Sequence, residues 1–316
     1  MKYFVTGGAG FIGSNYVRML LTEKLGAVTS VTVLDNLTYA GKLSNLDGVK
    51  NDSRFKFIKG DISDKILIRK ILESDHVLVH FAAESHVDKS IDKPSVFAAT
   101  NILGTQSLLD VSLEKGIQLF LHVSTDEVYG SIPTGHSTEE SNLLPNSPYS
   151  ASKAASDLIV RSYVQTYGLD ARITRCSNNY GPNQNREKFI PTVLGSLFSG
   201  AKIPVYGNGK NVREWIHVED HCLGIQKVIQ SGVTGEIYNI GSEESYTNLE
   251  VIHLLAKNLG INNFEIEFVN DRKGHDFRYS LDSSKIRTKL NFKPTKQIET
   301  SIKECAHLYS TSGLTP

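Results

Sequence analysis

The chain has 316 residues, with 34 Lys plus Arg set against 34 Asp plus Glu. Zero formal charge leaves no excess of cations to neutralise a nucleic acid or an anionic membrane. A hydrophobic content of 40% excludes a disordered chain, and no apolar run reaches the ~18 residues that span a bilayer. The uncharged stretch 3–17 holds Gly7, Gly8, Gly10 and Gly13, which a signal peptide's apolar helix would not. Cys176, Cys222 and Cys305 are far apart and form no Cys-x-x-Cys pair, so the expected compartment is the cytoplasm.

In chain order, residues 2–6, 30–36, 55–60, 77–83, 118–124 and 171–176 read as short β-rich runs. Helical segments separate them, residues 100–114 and 150–167 among these. Apolar strands alternating with helices predict an α/β fold with a doubly wound parallel sheet. After Tyr180 the pattern loosens at a turn cluster, Gly181 to Asn185. We therefore expect a cofactor-binding Rossmann domain over 1–180, with 219–241 returning to it. A smaller substrate-binding α/β domain is expected over 181–316. The basic residues between Lys285 and Lys296 read as a solvated face.

The first strand runs directly into Gly8-x-Gly10-x-x-Gly13. Glycines there let the backbone turn tightly and bring a pyrophosphate onto a helix N-terminus. Asp35 ends the second strand, 22 residues after Gly13. Its carboxylate can accept from ribose hydroxyls and would repel a 2′-phosphate, which predicts NAD over NADP. Asp61 and Ile62 lie beside the adenine on this reading, or else form an ordinary acidic loop.

Tyr149 and Lys153 stand four residues apart at the start of a helix-forming segment, and so share one helical face. A nearby ammonium lets a phenol act as a base towards a hydroxyl. The same spacing recurs at Tyr206 and Lys210, but Gly207 and Gly209 make that a turn. His217 and His221 have the spacing of a zinc pair; Val218 replaces the expected Glu and no third ligand is evident, so no metal is predicted.

These motifs resemble the extended short-chain dehydrogenase/reductase family. Further blocks resemble its nucleotide-sugar 4,6-dehydratases: residues 35–41 (DNLTYAG), 81–88 (FAAESHVD), 124–130 (STDEVYG), 176–182 (CSNNYGP) and 212–218 (VREWIHV). Asn36 and Lys89 replace the family's usual Lys and Arg, and the last dozen residues lack its aromatic ending.

The resemblance implies Thr125, Asp126, Glu127, Tyr149 and Lys153 as catalytic, with Asp126 the acid and Glu127 the base of an elimination. It implies NAD contacts from Gly7, Gly10, Phe11, Ile12, Gly13, Asp35, Asn36, Thr38, Asp61, Ile62, Ala82, Ala83, Ser85, Thr100, Tyr149, Lys153 and Asn179. It implies substrate contacts from Ser85, His86, Thr125, Asn178, Lys188, Arg213, Asn248, His275 and Tyr279. Arg213 would clamp a diphosphate, or serve as a surface ion-pair partner. A homodimer through the two helical segments is also implied, whereas the nucleobase is not legible. The alternatives are a sugar-nucleotide 4-epimerase, which needs no elimination pair, and a non-catalytic NAD-binding regulator, which usually forfeits the Tyr or the Lys.

Overall fold

The computed structural model describes the backbone of residues 1–311 and the side chains of residues 1–304. Cys305 and the final dozen residues singled out in the sequence therefore have side chains outside the described residues.

The strands are β1 (Lys2–Thr6), β2 (Ser30–Asp35), β3 (Phe55–Lys59), β4 (His76–His80), β5 (Leu119–Thr125) and β6 (Ala171–Cys176). They are followed by β7 (Asn178–Tyr180), β8 (Ile203–Tyr206), β9 (Val212–His217), β10 (Ile237–Ile240), β11 (Ser245–Thr247) and β12 (Ile266–Val269). Seven of them form one parallel sheet in the order β10-β6-β5-β4-β1-β2-β3.

Alternate residues of each strand feed opposite cores. Tyr3, Val5, Val33 and Val79 pack on one face with Tyr16, Leu20 and Ile225. Phe4, Leu34, Leu78 and Phe120 pack on the other with Ile68, Leu108 and Val160. Both faces being covered, the strands read as apolar throughout, as parallel strands must.

The chain leaves the sheet after β6, builds β7 to β9, and returns through the Val218–Ser231 helix to lay β10 beside β6. The substrate-side region holds a three-stranded sheet, β11-β9-β7, and a parallel pair, β12-β8. Its core is Tyr180, Val193, Leu194, Trp215, Ile252 and Leu255.

Local details refine the sequence expectations. The predicted 100–114 helix opens as a π-helical turn, Ala98–Gly104, before continuing as Thr105–Lys115. Tyr206 ends β8, and Gly207 and Gly209 take positive φ values of 59° and 70°, so that Tyr-Lys spacing is a turn. Asp61 and Ile62 lie just beyond β3, which ends at Lys59. Among the described residues, no helix is long and apolar enough to cross a membrane.

Candidate active site

The first three strands run outward on one side of β1, and β4 restarts on its other side, so a crevice opens over β1 at the strands' carboxyl ends. Ligands bind at this switch point in doubly wound sheets. A cleft of about 350 Å³ occupies it.

Its first wall is the glycine turn. Gly7 has φ +68°, and a Cβ there would lie 2.6 Å from the Ala82 nitrogen. A Cβ on Gly13 would lie 2.3 Å from the Gly7 carbonyl oxygen. Only glycine lets the Phe11–Leu21 helix start this close to the sheet. Gly10 caps that helix without a side chain, leaving its first N–H groups to face the cleft. Asp35 closes the far end; its carboxylate accepts from Ala9 N–H (2.9 Å) and Leu37 N–H (2.8 Å).

The opposite end is built by β5 and the Pro148–Tyr167 helix. Ser147 and Ser150 form a reciprocal capping box with Pro148 in the first turn, which fixes where Tyr149 stands. Tyr149 packs edge-on against Phe97. Lys153 is buried and donates to the Val123 carbonyl at 2.8 Å. Burial lowers its pKa to about 8. Burial and, after it, the Glu127 carboxylate drive the Tyr149 phenol well above its usual pKa, so it is protonated in the protein alone.

Thr125 ends β5 and accepts from the Glu127 N–H, starting the 3₁₀ turn Asp126–Tyr129 that carries the two acids. Their environments differ. Asp126 is 3% exposed, and burial and then the neighbouring Glu127 hold its carboxyl well above the usual range. Burial also raises Glu127, but Arg272, Arg213 and Lys188 pull it back towards the charged form. An acid held well above its usual pKa beside one whose upward shift three cations oppose is the kind of pairing that can divide acid and base roles in an elimination.

All the cofactor and catalytic residues expected from the sequence line this cleft, as do Ser85, Asn178 and Lys188. The cleft fits a dinucleotide in its cradle, its reach along the ends of β1 to β6, and its unmet polar atoms. Ser124 Oγ, Asp126 Oδ2, Ser177 Oγ and Asn178 Oδ1 are buried there without hydrogen-bond partners.

Five expected substrate residues stand back from the cleft wall. His86 caps the Val87–Asp92 helix, and Asn248 opens the Asn248–Leu259 helix. His275 bonds Asp271 at 2.6 Å, and Tyr279 donates to Asp276 at 2.5 Å. Arg213 is neither free nor on the surface: it donates to the carbonyls of Val212, Phe277 and Asp276 and lies over the Tyr279 ring. His217 and His221 are engaged through Nδ1 with Glu219 N–H and Asn179 respectively.

Sequence reasoning missed Glu84, Gln184, Asn185, Glu187, Phe189 and Trp215, which also line the cleft, and Arg272 behind it. The sharp turn 181–185 was the one available signal for Gln184 and Asn185.

A doubly wound sheet with a glycine cradle, a terminal acid and a Tyr–Lys pair defines an NAD-dependent enzyme of the short-chain dehydrogenase type. The chain belongs to the GDP-mannose 4,6 dehydratase family, whose model matches residues 4–305. It is 49% identical over 312 residues to a dTDP-glucose 4,6-dehydratase of an Actinoplanes species, covering 98% of each chain. The crystal structure of the dTDP-glucose 4,6-dehydratase DesIV from Streptomyces venezuelae, with NAD and dTDP bound, superposes with a TM-score of 0.96 at 50% identity, covering 99% of this chain and 98% of that one. A UDP-glucose 4-epimerase from Thermotoga maritima shares the fold, with a TM-score of 0.90, but only 28% identity over 99% of each chain.

Proposed function

We propose that the protein is a nucleotide-sugar 4,6-dehydratase that converts dTDP-glucose to dTDP-4-keto-6-deoxyglucose and water, regenerating its NAD. The observation that carries this is the acid pair beside Tyr149. An epimerase needs no second acid and base, whereas removing water across C5 and C6 needs both.

NAD, when bound, supplies reversible two-electron chemistry to the sugar and, oxidised, a positive charge favouring phenolate. The chain's residues do the rest. The glycine turn would hold the cofactor's pyrophosphate and Asp35 its adenosine ribose, with Asp61 and Ile62 beside the adenine and Asn36, Thr38, Ala82, Ala83, Thr100 and Asn179 along the cleft. Tyr149 takes the proton of the C4 hydroxyl, with Thr125 beside it and the Lys153 ammonium holding the local charge positive. A ketone at C4 acidifies the C5 proton, which Glu127 removes while Asp126 protonates the departing C6 hydroxyl. Ser85, Asn178 and Lys188 contact the sugar nucleotide. Arg213 steadies Glu127's charge, and with it Arg272, whose guanidinium lies 3.9 Å from the Asp88 carboxylate.

We assign 1–180 and 219–241 to cofactor binding and the remainder to substrate. A homodimer is supported by exposed Leu113, Leu158 and Tyr167 on the Thr105–Lys115 and Pro148–Tyr167 helices. The buried, unbridged Cys176 and Cys222 support a cytoplasmic setting.

The test is incubation with dTDP-glucose and, separately, UDP-glucose. The thymidine substrate is expected to lose the mass of one water. Deuterium placed on C4 is expected on C6 of that product; unchanged mass with the C4 configuration inverted and deuterium still on C4 would make the protein an epimerase.

A further inference from the structure

The loop after β2 does more than end in an acid. Its Gly41 folds back so closely that a Cβ there would lie 2.6 Å from Asp35 Oδ1. From this loop the half-buried Tyr39 reaches the far side of the cleft, where the Lys89 ammonium sits 3.4 Å from its ring centroid. Lys89 in turn donates to Glu187 Oε2 at 3.2 Å. Glu187 belongs to the substrate side, just before the Phe189–Ser199 helix.

Three neighbouring contacts pin the same junction. The Lys188 ammonium donates to the Ser85 carbonyl at 2.8 Å, and His86 Nε2 lies 3.6 Å from Glu187. Asp88 accepts from the Tyr206 hydroxyl at 3.2 Å.

Sheet order gives this chain of contacts its meaning. Tyr39 follows β2 and Lys89 follows β4, while β1, with the glycine turn at its end, lies between those strands. The contact therefore crosses the groove over roughly two strand spacings, about 10 Å. Thr38, Ala40, Ser85 and Glu187, which flank these residues in sequence or belong to the contact itself, line the cleft that runs from Asp35 to Tyr149.

We propose that Tyr39, Lys89 and Glu187 form a clasp over the cofactor groove that retains the dinucleotide through the catalytic cycle. Its purpose rests on the dehydratase reading, because a cofactor reduced in the first half of a cycle and reoxidised in the second must not leave between them. Its existence does not, since retention can be measured without any sugar present.

The experiment is the dissociation rate of NAD from the full-length, NAD-loaded protein, chased with excess labelled NAD. A cation over a ring and a half-exposed ion pair are modest interactions, so Lys89→Met and Tyr39→Leu are each expected to release NAD about tenfold faster. Lys89→Arg should stay close to the wild-type rate, because a guanidinium stacks on tyrosine and pairs with a carboxylate. Rising salt should speed release from the wild type and barely affect Lys89→Met. Melting in saturating NAD checks that each variant is folded.

During turnover of dTDP-glucose, free NADH should build up with Lys89→Met and not with the wild type. Equal dissociation rates for wild type, Lys89→Met and Tyr39→Leu would overturn the clasp. A wild-type protein that removes no water from dTDP-glucose would refute the dehydratase reading and leave the rate comparison standing.

Discussion

Asp126 and Glu127 are adjacent in sequence yet sit in different fields, and the difference comes from what each faces. Burial and the Glu127 and Glu214 carboxylates raise Asp126, whereas Arg272, Arg213 and Lys188 oppose the rise that burial gives Glu127. Glu127→Gln is expected to abolish exchange of the C5 proton with solvent deuterium, read by mass spectrometry of the sugar, while Asp126→Asn should preserve exchange and block water loss. Tyr149→Phe keeps the ring against Phe97 but removes the proton acceptor, so turnover should fall by ~10²-fold or more. NAD should still bind to that variant, because the glycine turn and Asp35 are untouched. These residues were legible because their spacing is local: a strand, a turn and one helical face bring Gly7 to Gly13, Asp35, Tyr149 and Lys153 into the cleft. Arg272 was not legible. It follows β12 in the substrate-side region, and only the long-range fold turns its charge towards Glu127. Arg213 was seen as a clamp, but nothing in its neighbours' identities foretold the three carbonyls that hold it.

At the level of elements, the Pro148–Tyr167 helix does two tasks at once. Its N-terminal box sets the height of Tyr149, and its first turns bury Lys153 under β5. Ser147→Ala removes one half of that box, at a cost of about 1 kcal/mol, which a lowered melting temperature would register. Turnover is expected to drop further than this cost alone implies, since the frayed turn is the one carrying Tyr149; a normal kcat in a destabilised variant would separate the two tasks. The parallel strands were visible in sequence because burial on both faces makes them apolar throughout. The π-helical turn at Ala98–Gly104 was not, because one wider turn leaves the apolar periodicity almost intact.

The molecule as a whole carries an acid liability. His122, His217 and His221 are buried, and burial lowers their pKa values to about 4, about 4 and about 3. Each takes up its proton more readily when unfolded, near pH 6.5, so the stability of the neutral forms is fully present above that pH. It is lost as pH falls towards 4, at ~1.4 kcal/mol per pH unit for each group. Asp35, Glu84, Asp126, Glu127, Glu139, Glu214 and Glu244, which burial raises on folding, work in the opposite sense. Denaturant midpoints of the wild type should therefore fall more steeply between pH 6.5 and 4 than those of a His221→Gln variant, and equal slopes would contradict neutral burial of that imidazole. The path of the chain has a different kind of consequence. Because β10 is laid against β6 only after the substrate-side strands have been made, the apparent cofactor half is not a separable piece of polypeptide. Cutting at residue 180 would strip β6 of its neighbour and leave a bare row of N–H and C=O groups, the template on which strands of other molecules add. A 1–180 fragment is expected to aggregate at concentrations where the full chain stays monodisperse by light scattering, and the seam visible to the eye is therefore not one that evolution could split or recombine at will.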